Sequence, residues 1–126
     1  MPKQIVATTD APQAIGPYSQ GVRAGDLVFL SGQIPLDPAT GTMVTGDAAL
    51  QTKQVMQNLG AVLRASGATF AQVVRATIYL VDLGDFAKVN EVYGSYFSTE
   101  PPARATVQVA ALPRGAKVEI DAIAVS

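Results

Sequence analysis

Ala103 to Ala124 reads ARATVQVAALPRGAKVEIDAIA, and this stretch decides how the chain folds. It contains two strand-like runs joined by a tight turn at Leu112-Pro113-Arg114-Gly115. Each run holds a charge among apolar, β-prone neighbours, Arg104 in the first and Glu119 in the second, and a charge in such surroundings needs a partner. Read as partner strands, the two runs bring Arg104 and Glu119 into one polar pocket, where the planar guanidinium fork fits a carboxylate. A structural ion pair between adjacent strands accounts for the same two residues, so the rest of the chain has to decide between them.

With 126 residues the chain can bury one core and is too short for two ordinary domains, so a single domain over 1–126 is expected. Apolar residues make up 48% and charged residues 15%, which marks a compact globular chain and not a disordered one. The net charge is −1 and no Lys/Arg run stands out, which disfavours a nucleic-acid partner. Every apolar run is soon broken by Gly, Pro or a charge, so no membrane span is expected. The N-terminal MPKQIVATTDAPQ lacks the long apolar region of a signal peptide, and a cytoplasmic location is the default. The lack of Cys and His excludes disulfides, thiol nucleophiles, imidazole acid–base chemistry and the common zinc sites. No acidic cluster has metal-ligand spacing and no glycine motif cradles a phosphate, so neither a metal nor a cofactor is expected.

In chain order, Lys3 to Ala7 reads as a first strand and Thr8 to Pro17 as a turn-rich loop. Tyr18 follows in GPYSQG, either as a binding residue or as an anchor that buries its ring and wets its hydroxyl. Ser19–Ala24 and Leu27–Ser31 read as a hairpin about Gly25-Asp26, with Gly32 as a strand-end turn. Pro35 to Gly46 is a loop, and Asp47 caps a helix from about Ala48 to Ser66 whose core stripe is Thr52, Val55, Leu59 and Val62. Val73 to Val81 is a strand that places Val74, Ala76, Ile78 and Leu80 on one face. Asp82 and Asp85 resemble a capping box for a second helix from about Leu83 to Phe97, with Phe86, Val89, Tyr93 and Phe97 as its stripe. Asn90 lies close to that stripe and needs a partner there, which as a structural residue it finds by tying down a loop. Pro101-Pro102 then ends the helix and starts the strand that carries Arg104.

Two helices, each following strands, predict crossovers and a mixed sheet covered on one face, an α+β arrangement. The strands are apolar on both faces, so a homo-oligomer that packs sheet against sheet is expected. The site then need not lie within one chain, and Arg104 can meet Tyr18 of a neighbour.

Four blocks carry a resemblance: IGPYSQGV (15–22), FLSGQIPLDPATG (29–41), DFAKVNEVYGSYF (85–97) and PPARATVQVAALPRGAKVEIDAIA (101–124). Together they resemble the RidA/YjgF family over nearly the whole chain, the last block being the most specific. The resemblance implies a chorismate-mutase-like α+β fold with a six-stranded mixed sheet, a homotrimer with clefts between subunits, and hydrolysis of 2-imino acids to 2-keto acids and ammonia. Those imines come from enamines released by pyridoxal-phosphate enzymes. It also implies roles: Arg104 clamps the substrate carboxylate, Glu119 orders the attacking water or shuttles a proton, and Tyr18 reaches the ligand at the subunit boundary. Gly32 lets its backbone approach the substrate and Asn90 supports the cleft. Thr106 stands where many members have Cys. The position contributes a backbone carbonyl in the family, so hydrolysis survives Thr while any thiol-dependent role does not. The reaction needs neither metal, thiol nor imidazole. The rival readings are a non-catalytic trimer that binds 2-keto acids, an RNA-cleaving protein, and a chorismate mutase suggested by fold analogy alone.

Overall fold

The computed structural model describes residues 2–126. Strands β1 (Gln4–Val6), β2 (Gly21–Ala24), β3 (Leu27–Gln33), β4 (Val73–Leu80), β5 (Ala103–Gln108) and β6 (Val118–Val125) form one mixed sheet in the order β1-β2-β3-β6-β4-β5. Helix α1 (Ala48–Ala65) links β3 to β4, and α2 (Phe86–Gly94) links β4 to β5. Both pack on the same face, so the expected α+β architecture with two helices over a six-stranded mixed sheet is found.

Ala103 to Ala124 departs from the expected hairpin. β5 and β6 are not partner strands. A helical crossover returns the chain parallel to the strand it left, so α2 sets β5 parallel to β4. β6 then inserts antiparallel between β3 and β4, and β4 separates the two runs. The connection at Pro113–Gly115 is a 3₁₀ turn in which Arg114 takes a left-handed conformation, φ 58° and ψ 23°.

Two bulges set which side chains face the helices. In β4 the register shifts between Val73 and Arg75, so Val73 turns inward with Ala76, Ile78 and Leu80, while Val74 is 43% exposed. The expected alternation fails at its first residue because the bulge adds one position without a partner. In β3, Leu30 pairs Ala122 and Gln33 pairs Ile120. Three steps on one strand match two on the other, so Val28, Leu30 and Gln33 share the buried face and Gly32 is left facing away from it. Gly32 therefore lies inside β3 and is not a strand-end turn.

The helices follow their caps. Asp47 accepts from the Leu50 amide at 3.0 Å, and Thr52, Val55, Leu59 and Val62 lie in the core. Helix α2 is shorter than its apolar pattern suggests. Asp82 accepts from the Gly84 amide at 2.8 Å and starts a 3₁₀ turn, Leu83–Asp85, while Asp85 makes no side-chain cap bond, so the reciprocal box does not form. Phe97 lies beyond the helix, yet its ring still stacks on Tyr93 and Phe70 at 4.8 and 5.7 Å. No helix among the described residues is long and apolar enough to cross a membrane.

The core fills the space between sheet and helices, with Val118, Ile120, Ala122 and Ala124 of β6 at its centre. The opposite sheet face carries Leu27, Phe29 and Val107, all exposed in the single chain. Exposed apolar side chains on a sheet face cost hydration free energy until something covers them.

Candidate active site

Arg104 and Glu119 occupy opposite faces of the sheet. Arg104 lies in the row of Ala76 and Ala122, near the start of β5, and its guanidinium turns toward α2. Nη1 donates to Asn90 Oδ1 at 2.7 Å. The guanidinium carbon stands 5.1 Å from the Tyr93 ring centroid and 5.6 Å from that of Phe86. Two aromatic faces and an amide oxygen therefore hold the planar cation half-buried at the sheet edge. Asn90 is exposed in the single chain, and its partner is Arg104, not a loop.

Thr106 is two residues along β5 and shares the face of Arg104. Its hydroxyl is shut off from solvent without a hydrogen-bond partner, as is that of Tyr93. Tyr93 is 4% exposed, and burial pushes its phenol pKa up while the charge of Arg104 pulls it down.

Glu119 belongs to the other face. It lies across from Tyr79 on β4, whose hydroxyl donates to Asp121 Oδ2 at 3.0 Å. Burial pushes the Glu119 carboxyl above its ordinary range, and the neighbouring charge of Asp121 pushes in the same direction. Arg104 lies on the other face, so within one chain burial and not Arg104 governs Glu119.

Gly32 is the floor under that carboxylate. A Cβ added at Gly32 would come within 2.3 Å of Glu119 Oε2 and 2.9 Å of its Cδ. The glycine is thus required by close approach, because a side chain would displace the acid. Tyr18 is exposed on its loop and lines a pocket of about 260 Å³ together with Gly32, Gln33, Ile34 and Arg114. The ring also borders a larger cleft of about 720 Å³ beside β1.

The six residues picked from sequence thus fall into two groups. Arg104, Asn90 and Thr106 gather on the helix side of β5, and Tyr18, Gly32 and Glu119 gather on or beside the opposite face. Three further residues escaped the reading. Asp121 and Tyr79 share the face of Glu119, which strict alternation along β6 and β4 already signals. Arg114 has no such signal, since only the folded turn brings it to the pocket of Tyr18.

Residues 8–126 match the family model described as Endoribonuclease L-PSP. Protein DfrA of Myxococcus xanthus is 66% identical over 128 residues, covering 100% of this chain and 98% of that one. The 2-iminobutanoate/2-iminopropanoate deaminase of Mus musculus is 50% identical, covering 98% of this chain and 91% of that one. The crystal structure of E. coli TdcF with bound serine superposes with a TM-score of 0.93 at 44% identity, covering 98% of this chain and 98% of that chain. A family match over nearly the whole length, and relatives of this similarity, leave one assignment: the chain belongs to the RidA/YjgF family, which includes imine deaminases.

Proposed function

We propose that this chain is a 2-imino acid deaminase that works as a homotrimer, with each site built where two chains meet. One chain supplies Arg104, Asn90 and the Thr106 backbone carbonyl; its neighbour supplies Tyr18, Gly32 and Glu119. The observation that carries this reading is the separation of the two groups onto opposite faces of one sheet. Neither group alone holds both a carboxylate clamp and a proton carrier. The exposed strip of Leu27 and Phe29 on the Glu119 face gives such an assembly something to bury.

The chemistry follows from the residues. Arg104 binds the substrate carboxylate through its fork, already oriented by Asn90 and the two rings. A water held by Glu119 attacks the imine carbon, the proton passes through the carboxylate to nitrogen, the C–N bond breaks and ammonia leaves a 2-keto acid. A positioned acid–base group of this kind contributes roughly 10²–10⁴-fold. Within one chain burial and then Asp121 raise the Glu119 pKa, and the neighbour's Arg104 opposes them by favouring the ionised form that acts as the base.

The test couples a serine or threonine dehydratase, which releases the imine in situ, to keto-acid detection with semicarbazide as the competing trap. Wild type is expected to accelerate keto-acid formation, and Arg104→Ala to lose about 10²-fold or more of that acceleration. Near-normal turnover by a folded Arg104→Ala variant removes the clamp from the mechanism. A second reading is a trimer that holds a small amino or keto acid without turnover, for which the bound serine of TdcF is the supporting observation. Ligand binding with no release of ammonia selects it.

A further inference from the structure

We propose that Arg114 is a specificity-determining residue that selects 2-imino acids carrying a second, distal carboxylate; the inference rests on the deaminase reading above. Arg114 lines the same pocket as Tyr18 and Gly32. Among the described residues lining that pocket it is the one charged side chain; the walls are otherwise Pro, Ile, Leu, Gln, Gly and Tyr. The pocket, at about 260 Å³, is smaller than a drug-sized site of roughly 300–1,000 Å³, so its occupant is a small molecule.

The backbone at this position is unusual in a way that bears on function. Arg114 holds φ 58°, a left-handed conformation that favours glycine, and Gly115 beside it is also left-handed at φ 74°. A long cationic side chain kept at a strained turn on a pocket rim points to work that glycine could not do. The side chain is also anchored. Its Nη1 donates at 3.2 Å to the carbonyl of Gly41, in the loop that follows β3. A guanidinium carries five N–H donors in a planar fork, so one bond to a backbone oxygen leaves capacity for a carboxylate.

Two arginines then divide the substrate between them. Arg104 of one chain takes the carboxylate next to the imine carbon, and Arg114 of the chain that supplies Glu119 takes the carboxylate at the far end. The bond changes are those of the parent reaction: water adds to the imine carbon, the C–N bond breaks and ammonia leaves, with no oxidant or reductant consumed.

The experiment compares two imines made by the same flavin chemistry, 2-iminosuccinate from D-aspartate oxidase and 2-iminopropanoate from D-amino-acid oxidase acting on D-alanine. Suppression of semicarbazone formation reports kcat/KM for each, and melting curves confirm that the variants fold. Wild type is expected to act on both, and Arg114→Ala to lower the ratio of 2-iminosuccinate to 2-iminopropanoate kcat/KM about tenfold, the scale of one charge-assisted hydrogen bond. Arg114→Lys keeps the charge and the same backbone demand and is expected to restore much of that ratio. An equal loss on both imines would mean that Arg114 only latches the loop through Gly41, and overturns the proposal. So does an unchanged ratio in Arg114→Ala. If wild type accelerates neither imine, the deaminase reading fails and takes this inference with it; if wild type works and only the ratio fails to move, the deaminase reading stands alone.

Discussion

The two faces of the sheet treat a charge in opposite ways. On the helix face at β5, Arg104 is given partners within its own chain: an amide oxygen at 2.7 Å and two aromatic rings. On the other face, Glu119 is given burial and a like charge, both of which make ionisation harder. A cation is thus held ready, while an anion is left wanting a counter-charge. That contrast is what the proposed assembly would resolve, by bringing the cation of one copy to the carboxylate of the next.

The most direct way to break that comparison is to separate its halves. Arg104→Ala and Glu119→Gln are each expected to lose roughly 10²–10⁴-fold in activity. Unfolded together and refolded as a mixture, the two inactive proteins are expected to recover about a quarter of wild-type activity, because mixed trimers rebuild one intact site from two chains. A mixture that stays inactive while trimers exchange would put both residues in one chain's site.

Gly32→Ala sharpens the Glu119 side alone. The new methyl group collides with the tip of a flexible side chain, so the fold is expected to persist with little change in melting temperature. The displaced carboxylate is expected to cost about 10²-fold in kcat, the scale of a misplacement near one ångström. Full activity would remove Glu119 from the reacting atoms.

A smaller effect separates the causes acting on Glu119. Its base form is the ionised one, so kcat/KM rises with pH through its pKa, which burial and then Asp121 hold above the ordinary value. Asp121→Asn keeps an oxygen for the Tyr79 hydroxyl and removes the charge. The acidic limb of the profile is expected to move to lower pH, toward the ordinary carboxylate range. An unmoved limb would leave burial as the only cause.

The smallest effect lies on the Arg104 side. The Thr106 hydroxyl is buried without a partner, so Thr106→Val removes an unpaired polar group at nearly constant volume. Thermal unfolding is expected to show a gain of about 1 kcal/mol, with catalysis retained because the backbone carbonyl is unchanged. A loss of stability would reveal a partner for that hydroxyl in the assembly.

Much of this was legible in the sequence because local rules govern it. Asp47 caps α1 as a good acceptor before an apolar period must, and the stripe from Thr52 to Val62 is buried as its spacing requires. Arg104 and Glu119 stood out as charges within β-prone runs, and the family resemblance added Asn90, Thr106, Tyr18 and Gly32 as candidates beside them. Their relation to one another was not. The two runs on either side of Leu112–Gly115 looked like a hairpin, because a tight turn between β-prone segments usually makes one. What overruled it was the crossover through α2, which fixes β5 parallel to β4 and leaves the central position to β6. The same limit applies to Val74 and Gly32. Alternation predicts a face only while register is unbroken, and a bulge is a property of two strands together. The sequence therefore determined which residues carry charge, which segments form strands and helices, and which chemistry is possible without His or Cys. Only the tertiary structure decided that the cation and the carboxylate lie on opposite sides of one sheet, because strand order and bulge position depend on pairings between segments far apart in the chain.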